Sequence, residues 1–90
     1  MLTFAQFGAG RIGAIHAGNL AASGRARLKH VVDINGEAAE ALATRHGARV
    51  SDTASALADP EVGAVIIASS TDTHADLVMA AARQGKAIFC

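Results

Sequence analysis

The chain alternates short apolar runs with longer stretches in which apolar residues recur at helical spacing. The apolar runs are rich in Val, Ile and Phe, which is typical of strands buried on both faces of a parallel sheet. The longer stretches predict helices, and in the first of these Ile12, Ile15 and Leu20 are expected to form the buried face. The predicted strands are 2–7, 28–33, 48–50, 64–68 and 86–90, and the predicted helices are 11–23, 36–46, a short helix that ends at 58, and 73–84.

Residues suited to helix ends flank these helices. Asn35 and Gly47 are placed to cap the two ends of the second helix. Ser51 or Asp52 is expected to begin the third helix, which Pro60 stops. Strands and helices therefore alternate in the order βαβαβαβαβ. With right-handed crossovers, this order predicts one α/β domain over residues 1–90, a Rossmann-type doubly wound parallel sheet with strand order 3-2-1-4-5.

Three glycines follow the first predicted strand with the spacing G-x-G-x-x-G. Gly8 is expected to turn the chain sharply, Gly10 to leave room for a phosphate beside the backbone, and Gly13 to let the next helix pack closely. Twenty residues later the second apolar run ends on Asp33, whose carboxylate can accept hydrogen bonds from ribose hydroxyls. The strand, glycines, helix and acid together predict dinucleotide binding, with the pyrophosphate at the positive end of the helix.

The carboxyl ends of the predicted strands converge on one crevice. In a sheet of this order, ligands bind at the switch point between the first and fourth strands, where the glycines, Asp33 and the end of the fourth strand meet. Ile34 and Asn35 follow the acid, so no basic side chain there can pair with a 2′-phosphate, and we expect NAD as the cofactor rather than NADP. Three hydroxyl residues at the end of the fourth strand are expected to line the cleft, to cap the next helix, or both: Ser69, Ser70 and Thr71.

Four segments resemble the N-terminal NAD-binding domain of the Gfo/Idh/MocA oxidoreductase family. They are AQFGAGRIGAIH at 5–16, VVD at 31–33, DPEV at 59–62 and IIASSTDTH at 66–74. The resemblance covers the whole chain and implies an NAD(P)-dependent oxidoreductase of sugars or cyclitols, usually oligomeric. It also implies that His74 lies near the nicotinamide end of the cofactor. Arg11 and Ile12, which follow the second glycine at the helix start, are further expected cofactor contacts, with Arg11 beside the pyrophosphate. Arg11 could instead be a solvated arginine at a helix start, and His74 only a helix-start residue.

The resemblance also bears on what these 90 residues contain. In the family, the fifth strand runs into a Glu-Lys-Pro segment whose lysine serves in catalysis, and a sixth strand and a C-terminal substrate domain follow. We therefore expect residues 1–90 to be a cofactor-binding half, truncated before the sixth strand, with no catalytic residue and with binding but no turnover by itself. The alternative is a stand-alone or engineered nucleotide-binding module that self-associates through the apolar edge at 87–89.

Composition narrows the possible partners. The net charge is zero and no apolar segment is long enough to span a bilayer, so we expect no nucleic acid and no membrane partner. The single cysteine excludes an internal disulfide, and the default expectation is a cytoplasmic protein. The four histidines lack metal-ligand spacing, so no metal site is predicted. His16 is expected to pack and Cys90 to be a small buried residue. A methyltransferase would place an acid just before the glycines, where this chain has Gln6 and Phe7.

Overall fold

Strands and helices alternate from one end of the chain to the other. The computed structural model describes residues 1–69 and 71–90, and for 71–73 only the backbone. In this part of the chain the elements are β1 (Leu2–Phe7), α1 (Arg11–Ala22), β2 (Ala26–Val32), α2 (Gly36–His46), β3 (Arg49–Val50), α3 (Thr53–Ala58), β4 (Ala64–Ile67), α4 (Thr71–Arg83) and β5 (Ala87–Phe89).

The described strands form one parallel sheet in the order β3-β2-β1-β4-β5. Helices α1 and α2 cover one face, where Ala17 and Leu42 pack against Phe4 and Leu28. Helices α3 and α4 cover the other face, in a second core that includes Leu57, Ala81, Phe7 and Val65. The chain adds β2 and β3 on one side of β1 and then crosses to add β4 and β5 on the other side. At this switch point the carboxyl ends of β1 and β4 lie side by side with no helix between them. The predicted fold and strand order are confirmed.

The ends of α2 follow the predicted capping chemistry. The Asn35 side chain accepts a hydrogen bond from the backbone N–H of Ala38 at 3.2 Å, which satisfies one of the free donors at the start of the helix. Gly47 ends the helix in the left-handed conformation, with φ 67°. Asp52 caps α3 in the same way as Asn35, by accepting from the N–H of Ser55 at 2.7 Å.

The buried face of α1 differs in part from the predicted one, since of the three predicted residues only Leu20 packs against the core. Ile12 and Ile15 are 63% and 50% exposed, whereas Gly13 and Ala17 are buried. A side chain on Gly13 would collide with the carbonyl of Gly8, because the helix begins directly against the end of β1. Close approach therefore selects the smallest residues for the contact, and the isoleucines are left on the flank of the helix.

Two element boundaries lie earlier than predicted. Strand β2 begins at Ala26, which pairs with Leu2 of β1. The exposed, charged Arg27 does not interrupt this pairing, since it lies opposite Thr3. Helix α4 begins at Thr71, so His74 lies in its first turn. Among the described helices, none combines the length and the apolar character needed to cross a bilayer.

Candidate functional site

The glycine turn after β1 is pressed against the end of β4. Gly8 has φ +100°, a conformation that side-chain-bearing residues rarely adopt. A Cβ atom here would lie 2.5 Å from the carbonyl oxygen of Ala68 and 2.8 Å from the backbone nitrogen of Ser69. The N–H of Gly8 in turn donates to the carbonyl of Val32 at 2.9 Å. This one residue therefore brings the ends of β1, β2 and β4 together.

The start of α1 is open for a ligand. Gly10 is the residue before the helix, and no described atom lies within 4 Å of the position that a Cβ would take. The first turn carries no acidic side chain, and Gly10 has no side chain that could cap the helix. The first N–H groups of a helix lack partners within the helix and carry partial positive charge, so they can bind an anion such as phosphate. Arg11, exposed at this end, adds a full positive charge.

Asp33 connects the end of β2 to the glycine turn. One carboxylate oxygen, Oδ2, accepts a hydrogen bond from the N–H of Ala9 at 2.7 Å, and the other, Oδ1, accepts from the N–H of Asn35 at 2.9 Å. A carboxylate has about four acceptor positions, so about two remain for a ligand. Ile34, the next residue, is fully exposed. The half-buried carboxylate can therefore accept hydrogen bonds from a diol beside an apolar surface.

Two grooves meet at Ser69, at the end of β4. The smaller, of about 320 Å³, runs from Ser69 past Gly8 and Asp33 and is lined mainly by apolar groups such as Leu77. The larger, of about 570 Å³, runs from Ser69 past Ile12 and His74. Gly10 and Arg11 line a third groove, of about 200 Å³, between α1 and α2. Together these grooves can hold an elongated ligand with a polar centre at the helix start.

Most of the predicted site residues thus come together at the carboxyl edge of the sheet. Gly8, Asp33 and Ser69 share one groove, and Ile12, Ser69 and His74 share another. Ser70 lies outside the described residues, as does the side chain of Thr71, so these two remain predictions.

Two further expectations about single residues were wrong. Cys90 is exposed rather than buried, and its Sγ lies 3.1 Å from Nε2 of His74, at one end of the larger groove. His16 is also exposed, and it lines the same groove instead of packing in the core. His16 and Cys90 thus border the same groove, together with His74.

A second polar cluster, missed in the sequence, ties α3 to the sheet. Buried His30 on β2 is hydrogen-bonded through Nδ1 to the hydroxyl of Ser51 at 2.6 Å and through Nε2 to Asp59 at 2.7 Å. Ser51 precedes α3 and Asp59 follows it, so one imidazole holds both ends of the crossover. The ammonium of Lys29 also binds Asp59, at 2.6 Å. Lys29 and His30, two polar residues inside the predicted strand 28–33, were the available signal, since the partners of His30 lie 21 and 29 residues away.

Asp59 should make stability fall in acid. Hydrogen bonds from Lys29 and then His30 hold the pKa of its carboxyl well below the usual value. A carboxylate of this kind stabilises the fold fully above its unfolded pKa of about 3.9, and that contribution is lost as the pH falls below it. At pH 7 we expect the urea midpoint of Asp59→Asn to be lower than that of the unchanged chain. Between pH 6 and pH 3 we expect the midpoint of the variant to fall less than that of the unchanged chain. The exposed Asp76→Asn variant serves as the control, and an equal fall in all three proteins would contradict the prediction.

Fold and site together define a class of protein. A glycine turn, an open helix start and an acid at the end of β2, set at the switch point of a 3-2-1-4-5 sheet, form a dinucleotide-binding Rossmann domain. Residues 2–90 match the Gfo/Idh/MocA family, described as an oxidoreductase family with an NAD-binding Rossmann fold. The chain belongs to this family, and NAD is its cofactor. Within the described residues, no group of three or more His, Cys, Asp or Glu could hold a metal ion.

Relatives and solved structures agree with this assignment. Inositol 2-dehydrogenase of Rhizobium meliloti is 46% identical over 87 residues, which is 97% of this chain and 26% of the relative. A crystal structure of a putative myo-inositol dehydrogenase from Sinorhizobium meliloti matches all of this chain and 27% of its own, with a TM-score of 0.96 and 44% identity. Myo-inositol dehydrogenase of Lactobacillus casei, solved with NAD(H) and myo-inositol, matches 98% of this chain and 27% of its own, with a TM-score of 0.90 and 32% identity. The chain spans about a quarter of the length of these proteins.

Proposed function

We propose that this chain is the NAD-binding part of an inositol 2-dehydrogenase-like enzyme, which transfers hydride from a cyclitol or sugar hydroxyl carbon to NAD. The observation that carries the proposal is the Asp33 carboxylate, bonded to the glycine turn at 2.7 Å beside an open helix start. The similarity to inositol dehydrogenases supports the substrate class. A cyclitol fits this chemistry because each ring carbon bearing a hydroxyl also carries a hydrogen that can leave as hydride.

Each part of the cofactor has a complementary surface. The adenosine ribose fits the two remaining acceptor positions of Asp33, and the adenine ring fits the smaller apolar groove beside Ile34. The pyrophosphate fits the open start of α1, with the N–H groups that follow Gly10 and the charge of Arg11. The nicotinamide end fits the larger groove beside Ile12, Ser69 and His74. Ser70 and Thr71 are proposed to line the same cleft.

The reaction divides between cofactor and protein. NAD, when bound, accepts the hydride, whereas the protein must orient the substrate and remove a hydroxyl proton. We assign no base for that proton among the described residues. The isolated 90-residue polypeptide is therefore proposed to bind NAD without turning over substrate.

NAD should bind more tightly than NADP. Asp33 offers acceptors to two ribose hydroxyls but would repel a 2′-phosphate, and the residues after it, Ile34 and Asn35, carry no positive charge. We expect Asp33→Ala to weaken NAD binding by about 1–3 kcal/mol, the usual value of hydrogen bonds to a charged group. Calorimetric titration measures both the preference for NAD over NADP and the loss of NAD affinity in Asp33→Ala. The control is Glu37→Ala, which removes one exposed acidic side chain from α2. Tighter binding of NADP, or equal losses in the two variants, would contradict the proposal.

We also propose that the polypeptide self-associates through β5. Among the described strands, β5 pairs only with β4, and its Phe89 is 53% exposed. An apolar edge strand gains hydrogen bonds and burial when it pairs with another strand. Sedimentation at tens of micromolar is expected to show a dimer or larger species, and a Phe89→Lys variant to shift towards the monomer. A monomer in both cases would contradict self-association without affecting NAD binding.

A further inference from the structure

We infer that Gln6 is a positioning residue of the cofactor site, which holds the glycine turn in the conformation that NAD requires. The inference rests on the proposed function, since it concerns how the same site is built. Gln6 lies in the middle of the buried part of β1, between Ala5 and Phe7, and has no exposed surface. An amide side chain in such a position departs from the apolar pattern of the strand, and departures of this kind need a specific explanation.

The side chain of Gln6 makes one hydrogen bond within the described residues, to the glycine turn. Its Nε2 donates to the carbonyl oxygen of Gly8 at 3.1 Å. Because that carbonyl can only accept, the NH₂ group must be the end that faces it, so the orientation of the amide is set by chemistry. The other end, Oε1, is buried and has no hydrogen-bond partner among the described residues.

This arrangement is costly for stability. A buried acceptor without a partner loses its hydration and gains nothing in return. Leucine has a similar size and no polar atoms, so it would fill the same space without that cost. The presence of glutamine is therefore better explained by its contact with Gly8 than by packing.

The contact with Gly8 controls a peptide group that faces the ligand site. In a trans peptide the carbonyl and the N–H point in opposite directions. The carbonyl of the Gly8–Ala9 peptide accepts from Gln6, and the N–H of the same peptide donates to Asp33 Oδ2 at 2.7 Å. Gln6 and Asp33 thus hold one peptide plane from its two sides. Loss of the Gln6 contact would let the plane rotate, which would misdirect both the turn and the carboxylate proposed to bind ribose.

A purely structural role and a positioning role predict different results for Gln6→Leu. If Gln6 only fills the core, NAD affinity is unchanged or follows stability. If it positions the turn, the variant is at least as stable as the original chain in urea and yet binds NAD about 3- to 10-fold more weakly, as expected for the loss of one neutral hydrogen bond. Stability and affinity then move in different directions.

The experiment measures NAD affinity by calorimetry and the urea midpoint for the unchanged chain, Gln6→Leu and Gln6→Met. The methionine variant, unbranched like glutamine, tests the same loss if leucine does not fold. Val65→Ala, a buried truncation on β4, is the control that is expected to lower stability without changing affinity. In the Asp33→Ala background, Gln6→Leu is expected to cost less affinity than in the unchanged chain, since both residues act on one peptide.

The possible outcomes separate the two proposals. Equal NAD affinity of the unchanged chain and both Gln6 variants would overturn the positioning role and leave the proposed function standing. The positioning role would also be overturned if the Gln6 variants and Val65→Ala lost the same stability and the same NAD affinity. Absence of NAD binding by the unchanged chain would overturn the proposed function and, with it, this inference.

Discussion

A chain carrying Gly10→Val is expected to fold as before and to lose measurable NAD binding. The fold should tolerate valine because Gly10 has φ −70° and ψ −173°, an extended conformation open to any residue. No described atom lies within 4 Å of the new Cβ, so nothing in the protein is displaced. The same open space lies at the start of α1, where the pyrophosphate must approach the backbone to hydrogen-bonding distance. A branched side chain there keeps the phosphates away from the N–H groups.

Calorimetry and thermal unfolding together test this prediction. The matched control is Gly18→Val, on the same helix, where a Cβ also meets no described atom within 4 Å. It introduces the same side chain into α1 away from the helix start, so it is expected to leave NAD affinity unchanged. If folded Gly10→Val binds NAD as tightly as the control, the glycine serves only the turn and the pyrophosphate lies elsewhere.

Gly8→Ala is expected to destabilise the fold itself, whereas Gly10→Val is expected to leave the fold intact. An alanine would have to adopt φ +100° and place its Cβ 2.5 Å from the carbonyl oxygen of Ala68. The conformation alone costs about 1–3 kcal/mol, and the collision is with backbone, which cannot move aside as a side chain can. The net stability of a domain is only about 5–15 kcal/mol, so a large fraction of it should be lost.

Comparison with Gly47→Ala separates the two causes. Gly47 also has a positive φ, of 67°, but a Cβ there meets no described atom within 4 Å. Urea unfolding followed by circular dichroism measures the loss of stability in Gly47→Ala. Because this loss comes from backbone strain alone, it should be about 1–2 kcal/mol. Gly8→Ala should cost clearly more, and equal losses would mean that the turn can move away from β4.

Features set by neighbours along the chain were predictable from the sequence. The turn at Gly8, the open helix start at Gly10 and the cap at Asn35 each depend on a few consecutive residues, whose allowed conformations and hydrogen bonds are local. The strand order also followed, because short connections and right-handed crossovers leave few ways to arrange five alternating strands. These local features are sufficient to locate the crevice and its acid at position 33.

Tertiary structure alone decided which residues touch across the fold. The spacing of Ile12, Ile15 and Leu20 predicted a buried face, but of these only Leu20 packs against the core, and the residues that α1 buries fully are Gly13 and Ala17. The links from Asp33 to Ala9, from His30 to Ser51 and Asp59, and from His74 to Cys90 join residues 16 to 29 positions apart. Periodicity indicates which face of an element is apolar. Contacts across the fold depend instead on how closely two elements approach and in which register they lie. Approach and register are set only when the helices and the whole sheet pack together.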